Sequence, residues 1–192
     1  LQEIGQAQDT PDDIVFDHFQ ETAYRGQSMG WPVLGSVETV QTMSRDAIAG
    51  FMASRYQAGN MVVAAAGAVD HETLVALVEA AFTKLGRAAV EAPAAARYTG
   101  GDYREARECE QVHLLLGFEG LARGDADRYA ASVLANLLGG GMSSRLFQEV
   151  REKRGLVYSI YAFAQSFSDS GLFGIYAGTG AQEMEELIPV TC

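Results

Sequence analysis

Toward the C-terminal end of this chain the apolar residues change their spacing from a helical period to a strand-like one, and that change narrows the folds open to it. Asp125 is placed to cap a helix running through about Leu138, which the run Gly139-Gly140-Gly141 then breaks. A second helix is expected from about Ser143 to Lys153, stopping at Gly155. Leu156 to Phe167 and Gly171 to Ala177 then read as two antiparallel strands joined by the turn Ser168-Asp169-Ser170. A tight hairpin following helices, rather than strands alternating with crossover helices, predicts an α+β architecture with an antiparallel-rich mixed sheet and helices packed on one face.

The upstream half carries the same kind of punctuation. Leu1 to Gln8 reads as the tail of a helix, ended at Asp9-Thr10-Pro11, because proline disfavours a helical residue before it and fits the first turn of the next helix. From Asp12 the residues Ile14, Val15, Phe19, Ala23 and Tyr24 recur at helical spacing, and Gly30 to Gly35 makes a loop. Ser44 is an N-cap candidate for a helix with Ile48, Phe51, Met52 and Tyr56 on one face. The apolar run Met61 to Ala68 predicts a buried strand, and Asp70 caps a helix bearing Leu74, Leu77, Val78, Ala81 and Phe82. Gly86 to Gly101, rich in alanine and lacking apolar periodicity, reads as a linker between domains, and Gln111 to Phe118 as a strand.

Of the 192 residues, 48% are hydrophobic, which is enough for a core. The net charge of −11 and the absence of a basic cluster argue against nucleic-acid binding. No apolar run approaches the roughly 20 residues that a membrane-spanning helix needs. A soluble protein, cytoplasmic or periplasmic in a bacterium, is therefore expected. Cys109 and Cys192 are too few and too far apart for a disulfide framework or a cysteine zinc site, and are expected as free thiols. Both ends read as cuts through a longer protein.

The histidines, His18, His71 and His113, are not spaced as a pair one helical turn apart and lie in neither order of the His/Glu zinc motif. Each has an ordinary place, on a helix, in a first turn and within a strand. No G-x-S-x-G elbow, phosphate loop or dinucleotide fingerprint is present.

Two long segments carry a family resemblance. The opening LQEIGQAQDTPDDIVFDHFQETAY, continued by WPVLGSVETVQTMSRDAIAGFMASRYQAGNMVVAAAGAVD, resembles the region following the inverted zinc motif H-x-x-E-H in zinc metallopeptidases of the insulinase/pitrilysin class (M16), of the mitochondrial processing peptidase-like type. The later GGGMSSRLFQEVREKRGLVYSIYAF is similar to a segment near the start of that family's second domain. The resemblance implies that Glu3, in Leu1-Gln2-Glu3-Ile4, is the third protein ligand of a Zn2+ ion. It implies that Arg151 and Tyr158, spaced as R-x-x-x-x-x-x-Y, stand across a cleft from the metal, where a guanidinium and a phenol can stabilise a developing oxyanion or hold the substrate backbone. Gly139, Gly140 and Gly141 are similar to a shortened version of the glycine-rich loop that guides substrate in the family's non-catalytic subunit; a plain helix stop explains them equally well.

The His pair and general base of that family are absent from this chain, so the fragment itself is expected to be inactive and not to hold zinc, although the parent protein is expected to be a zinc metalloendopeptidase acting on peptides or unfolded, presequence-like segments. The implied organisation is two adjoining partial domains: residues 1–85 finishing a catalytic domain, 86–100 a linker, and 101–192 beginning the second domain. A homodimer is one assembly open to it. The rival readings are a non-catalytic subunit of the same fold, such as a processing-peptidase partner or a respiratory core-type scaffold, and a general α+β binding module.

Overall fold

The computed structural model describes residues 1–89 and 91–192. In chain order the longer elements are α1 (Gln2–Gln8), α2 (Pro11–Ala23), α3 (Val37–Thr42), α4 (Arg45–Arg55), α5 (His71–Ala81), β1 (Val112–Glu119), α6 (Arg128–Gly139), a π-helical stretch (Phe147–Glu152), β2 (Ser159–Ser166), β3 (Gly171–Thr179) and α7 (Met184–Thr191). The architecture is the α+β one expected from the period change. Packing divides the chain into two compact units, Leu1–Val37 with Ala95–Cys192, and Glu38–Ala94. The opening helices thus pack with the C-terminal half. Of the linker stretch 86–100, Val90 lies outside the described residues.

The larger unit is built on a three-stranded antiparallel sheet of order β1-β3-β2. β3 is central and buried along nearly its whole length, because both of its faces are covered. On one face Ile160 and Ala162 of β2 and Ile175 and Ala177 of β3 meet Ala135 of α6, Val150 of the π-helical stretch and Leu187 of α7. Full burial of each isoleucine, valine or leucine side chain here contributes about 1.5–3 kcal/mol and of each alanine methyl less, which makes this cluster the main support of the unit. On the other face α2 lays Phe16 against Phe163 and Tyr176, with ring centroids 5.8 and 5.6 Å apart. Gly117 is needed there, since a Cβ at that position would collide with the ring of Phe19. Helices therefore cover both faces of the sheet, α2 on one and α6 with α7 on the other.

In the smaller unit the caps stand where the sequence puts them. Ser44 Oγ accepts from the Ala47 N–H at 3.1 Å, and Asp70 Oδ1 from the Thr73 N–H at 2.9 Å, each satisfying an otherwise unpaired donor of a first turn. The apolar faces of these helices stay open: Phe51 is 60% exposed and Leu77 64%.

Two local expectations are corrected. Met61 to Ala68 is not a buried strand; Val62 is 93% exposed and no strand pairs with the segment among the described residues, the one pairing described in this unit being an isolated bridge between Gln57 and Gly86. An apolar run becomes strand only when a neighbour takes its N–H and C=O groups. Asp125 does not cap α6. Its Oδ1 accepts from the Asp127 N–H at 2.9 Å, an Asx-type turn, and the helix starts at Arg128 with Asp127 at the cap position.

Candidate functional site

The segment between α6 and β2 is locally wound in an uncommon way. From Phe147 to Glu152 the helix widens to π geometry, and the Lys153 N–H reaches back five residues to the Gln148 carbonyl at 3.0 Å. Single π turns inside helices concentrate at functional sites. Val150 is fully buried, and Leu156 and Val157 are nearly so, which anchors the stretch at both ends. Between these anchors Gly155 takes φ +66°, a left-handed conformation open to glycine at little cost, and the chain reverses toward β2. Arg151 is exposed before the reversal, and Tyr158, 62% exposed, comes after it.

The charges of the run Arg151-Glu152-Lys153-Arg154 are not equivalent. Lys153 is paired with Glu149, and Arg154 Nη1 lies 3.2 Å from Glu149 Oε2 and donates to the Glu149 carbonyl at 2.8 Å. The hydrogen bond from Lys153, and then that from Arg154, hold the Glu149 carboxyl below its usual range. Among the described residues no carboxylate lies within ion-pair distance of Arg151; its guanidinium carbon sits 4.7 Å from the centre of the Phe147 ring. That contact steadies the side chain and leaves its donors open to a ligand.

Tyr158 is fixed through its backbone. Its N–H donates to the Gly178 carbonyl at 2.8 Å, and the Thr179 hydroxyl, fully buried, donates to the Leu156 carbonyl at 2.5 Å. Next to it Ser159 Oγ stands with the Tyr176 phenol beside Gly178; that phenol lies 2.9 Å from His113 Nδ1 and is pushed to a raised pKa chiefly by burial. The sequence reading singles out neither Thr179 nor Ser159. The available signal is that Thr179 follows directly on the apolar run of β3, where an inward hydroxyl must find a partner.

The three glycines differ sharply. Gly139 is buried and a Cβ there would strike the backbone of Tyr161 and Ala162, so its absence lets α6 close on β2. Gly140 ends the helix, its N–H bonded to the Asn136 carbonyl at 2.9 Å. Gly141 is exposed with nothing near a Cβ position.

Glu3 is exposed on α1, beside the buried Ile4 that docks that helix. Among the described residues no hydrogen bond or ion pair joins it to Arg151 or Tyr158, and no three His, Cys, Asp or Glu side chains gather as a metal site. The donors present do not by themselves fit a zinc ion, which needs at least three protein ligands in a preorganised set.

A hollow of about 160 Å³ lies between α2, β1 and the stretch 98–103, lined by His18, Phe19, Tyr98, Tyr103 and His113 among others. Its rim is tied down by polar contacts: the His18 and Tyr103 rings stack at 4.4 Å, Tyr103 donates to Glu105 at 2.8 Å, and Arg107 donates to Glu105 at 2.7 Å and to the Gln8 carbonyl at 2.7 Å. None of Glu3, Gly139, Gly140, Gly141, Arg151 or Tyr158 lines this hollow. No helix among the described residues is long and apolar enough to cross a membrane.

Comparison with known proteins bears on this arrangement. A protein of Streptomyces coelicolor named as an uncharacterized zinc protease is 46% identical over 199 residues, an overlap that takes in 99% of this chain and 43% of that protein. The chain thus spans under half the length of that relative. A crystal structure described as the peptidase M16 inactive domain from Pseudomonas fluorescens superposes with a TM-score of 0.76 at 25% identity, over 99% of this chain and 48% of that one. A chain of complex III2 from Candida albicans superposes with a TM-score of 0.90 at 22% identity, over 99% of this chain and 48% of that one, which is a likeness of fold. Residues 42–192 match the family model described as the peptidase M16 inactive domain, and the chain belongs to the M16 peptidase family.

Proposed function

We propose that the chain is part of a zinc-dependent metalloendopeptidase that hydrolyses peptides or unfolded, presequence-like segments, and that Arg151 and Tyr158 act on the substrate backbone. The observation that carries this reading is the pairing of an arginine with no carboxylate partner among the described residues and an exposed tyrosine on either side of the Gly155 reversal. A guanidinium can direct one or two of its N–H donors at the single oxygen of a peptide carbonyl. A phenol O–H aimed at the same carbonyl oxygen strengthens its hydrogen bond as negative charge develops there. Buried Val150 and Leu156 hold the two side chains on a rigid frame, so little reorganisation is needed when substrate arrives.

In this reading residues 1–85 finish a catalytic domain and 101–192 begin the second one, while Glu3 is one zinc ligand in the intact protein. The remaining donors come from an upstream His/Glu motif, and the zinc proteases among the relatives support it by name. The experiment is cleavage of quenched fluorescent peptides by the intact protein, with and without a chelator. Chelator-sensitive cleavage that falls in Tyr158→Phe is the expected result. A second reading, a non-catalytic member of the same fold, is favoured by the family model's description as an inactive domain; an intact protein that holds no zinc and cleaves no peptide would select it.

A further inference from the structure

The end of β3 does more than complete the sheet. Two consecutive residues there grip the segment that leads into Tyr158: the Gly178 carbonyl takes the Tyr158 N–H at 2.8 Å, and the Thr179 hydroxyl gives its proton to the Leu156 carbonyl at 2.5 Å. A third hold comes from the opposite side. Ser159, the next residue, and the Tyr176 phenol both crowd against Gly178, and that phenol lies 2.9 Å from His113 Nδ1. Tyr176 is itself immobilised, 5% exposed, stacked on Phe16 at 5.6 Å and with its ring centre 4.9 Å from that of Tyr161. Gly178 makes the convergence feasible. A Cβ built on it would stand 2.9 Å from Ser159 Oγ, 3.0 Å from Gln111 Oε1 and 3.3 Å from Tyr176 Oη, so the polar atoms occupy the space a side chain would take.

We propose that Thr179, together with Ser159 and the His113-bonded Tyr176 packed around Gly178, forms a two-sided clamp of positioning residues that fixes the direction of the Tyr158 phenol. The proposal rests on the role given to Tyr158 above. An exposed tyrosine at a strand start is ordinarily free to swing, and an alcohol buried at Thr179 serves no purpose in a sheet that valine would fill equally well. The hydroxyl instead spends its one donor on Leu156, two residues before Tyr158. None of these residues need touch substrate; they act through the backbone of residues 156–159.

The test is a fluorine label. With 3-fluorotyrosine at position 158 of this chain, the 19F resonance of the otherwise unaltered protein is expected as one narrow line. Thr179→Val moves or splits that line, Thr179→Ser restores it, and Ser159→Ala perturbs it independently. An unchanged 19F line in Thr179→Val and Ser159→Ala, at equal folded fraction, overturns the clamp. Should Thr179→Val not fold, Ser159→Ala carries the readout, since it leaves the buried carbonyl satisfied. In the intact protein Thr179→Val is expected to lower kcat about 10-fold to 100-fold with KM nearly constant, the scale set by a misplacement of about 1 Å, and Thr179→Ser to recover it. If the intact protein cleaves nothing, the peptidase reading fails and the fluorine experiment still decides the clamp; if it cleaves and Thr179→Val cleaves equally well, the clamp fails alone.

Discussion

Tyr24 Oη lies 2.8 Å from Ser170 Oγ, joining the end of α2 to the turn between β2 and β3 across 146 residues of sequence. The same phenol donates to the Gly171 carbonyl at 3.1 Å, and Tyr24 is fully buried. Removing the hydroxyl in Tyr24→Phe strands Ser170 without its partner, and the expected loss is about 1–3 kcal/mol in urea unfolding. An unchanged midpoint would show that the turn is held by other contacts.

Burial raises the pKa of Tyr24, Tyr98 and Tyr176 above the ordinary tyrosine value. The folded state therefore keeps these protons where the unfolded chain has released them. Stability contributed in this way is fully present below pH about 10, the unfolded pKa, and is lost as pH rises from there through the folded values. Thermal midpoints measured from pH 8 upward are expected to stay flat and then fall above about 10, with a smaller fall in Tyr24→Phe.

Arg151→Ala and Tyr158→Phe are expected to leave stability within about 0.5 kcal/mol, because both side chains are exposed. Peptide cleavage by the intact protein should drop about 100-fold or more in kcat, the usual cost of deleting an oxyanion donor. Steady-state kinetics decide it: a rise in KM alone would mean that the pair binds substrate without favouring the transition state.

Gly139→Ala and Gly141→Ala separate packing from substrate contact. The first forces a methyl group into the β2 backbone and should destabilise the fold by about 1–3 kcal/mol, or more if α6 cannot shift. The second meets open space and should leave the melting temperature unchanged. A loss of peptide affinity in Gly141→Ala alone would assign the loop to substrate; its absence would leave the run as a helix stop.

Metal content gives the test of Glu3. This chain, with its isolated carboxylate, is expected to retain no zinc after dialysis, whereas the intact protein retains about one ion and Glu3→Gln loses most of it. Zinc analysis by mass spectrometry reads all three. Full occupancy in the Glu3→Gln protein would remove Glu3 from the ligand set.

How far the sequence could be read depended on how local each cause is. The caps at Ser44 and Asp70 act on donors three residues away, so their residue types announce them. The hairpin of β2 and β3 and the reversal at Gly155 are likewise short-range, set by alternation, turn residues and a single glycine conformation. Asp125 shows the limit even at short range, because the same carboxylate serves a turn as readily as a cap.

The chain's own order of residues determined its helices, its hairpin and the spacing of Arg151 from Tyr158. Only the tertiary structure decided that Met61 to Ala68 stays unpaired among the described residues, that Gly139 faces β2, and that Thr179 grips Leu156. Each of these depends on which atoms are brought within bonding distance from far along the chain. Strand pairing and close packing both fall away within a few ångströms, so no pattern of neighbours in sequence can specify them.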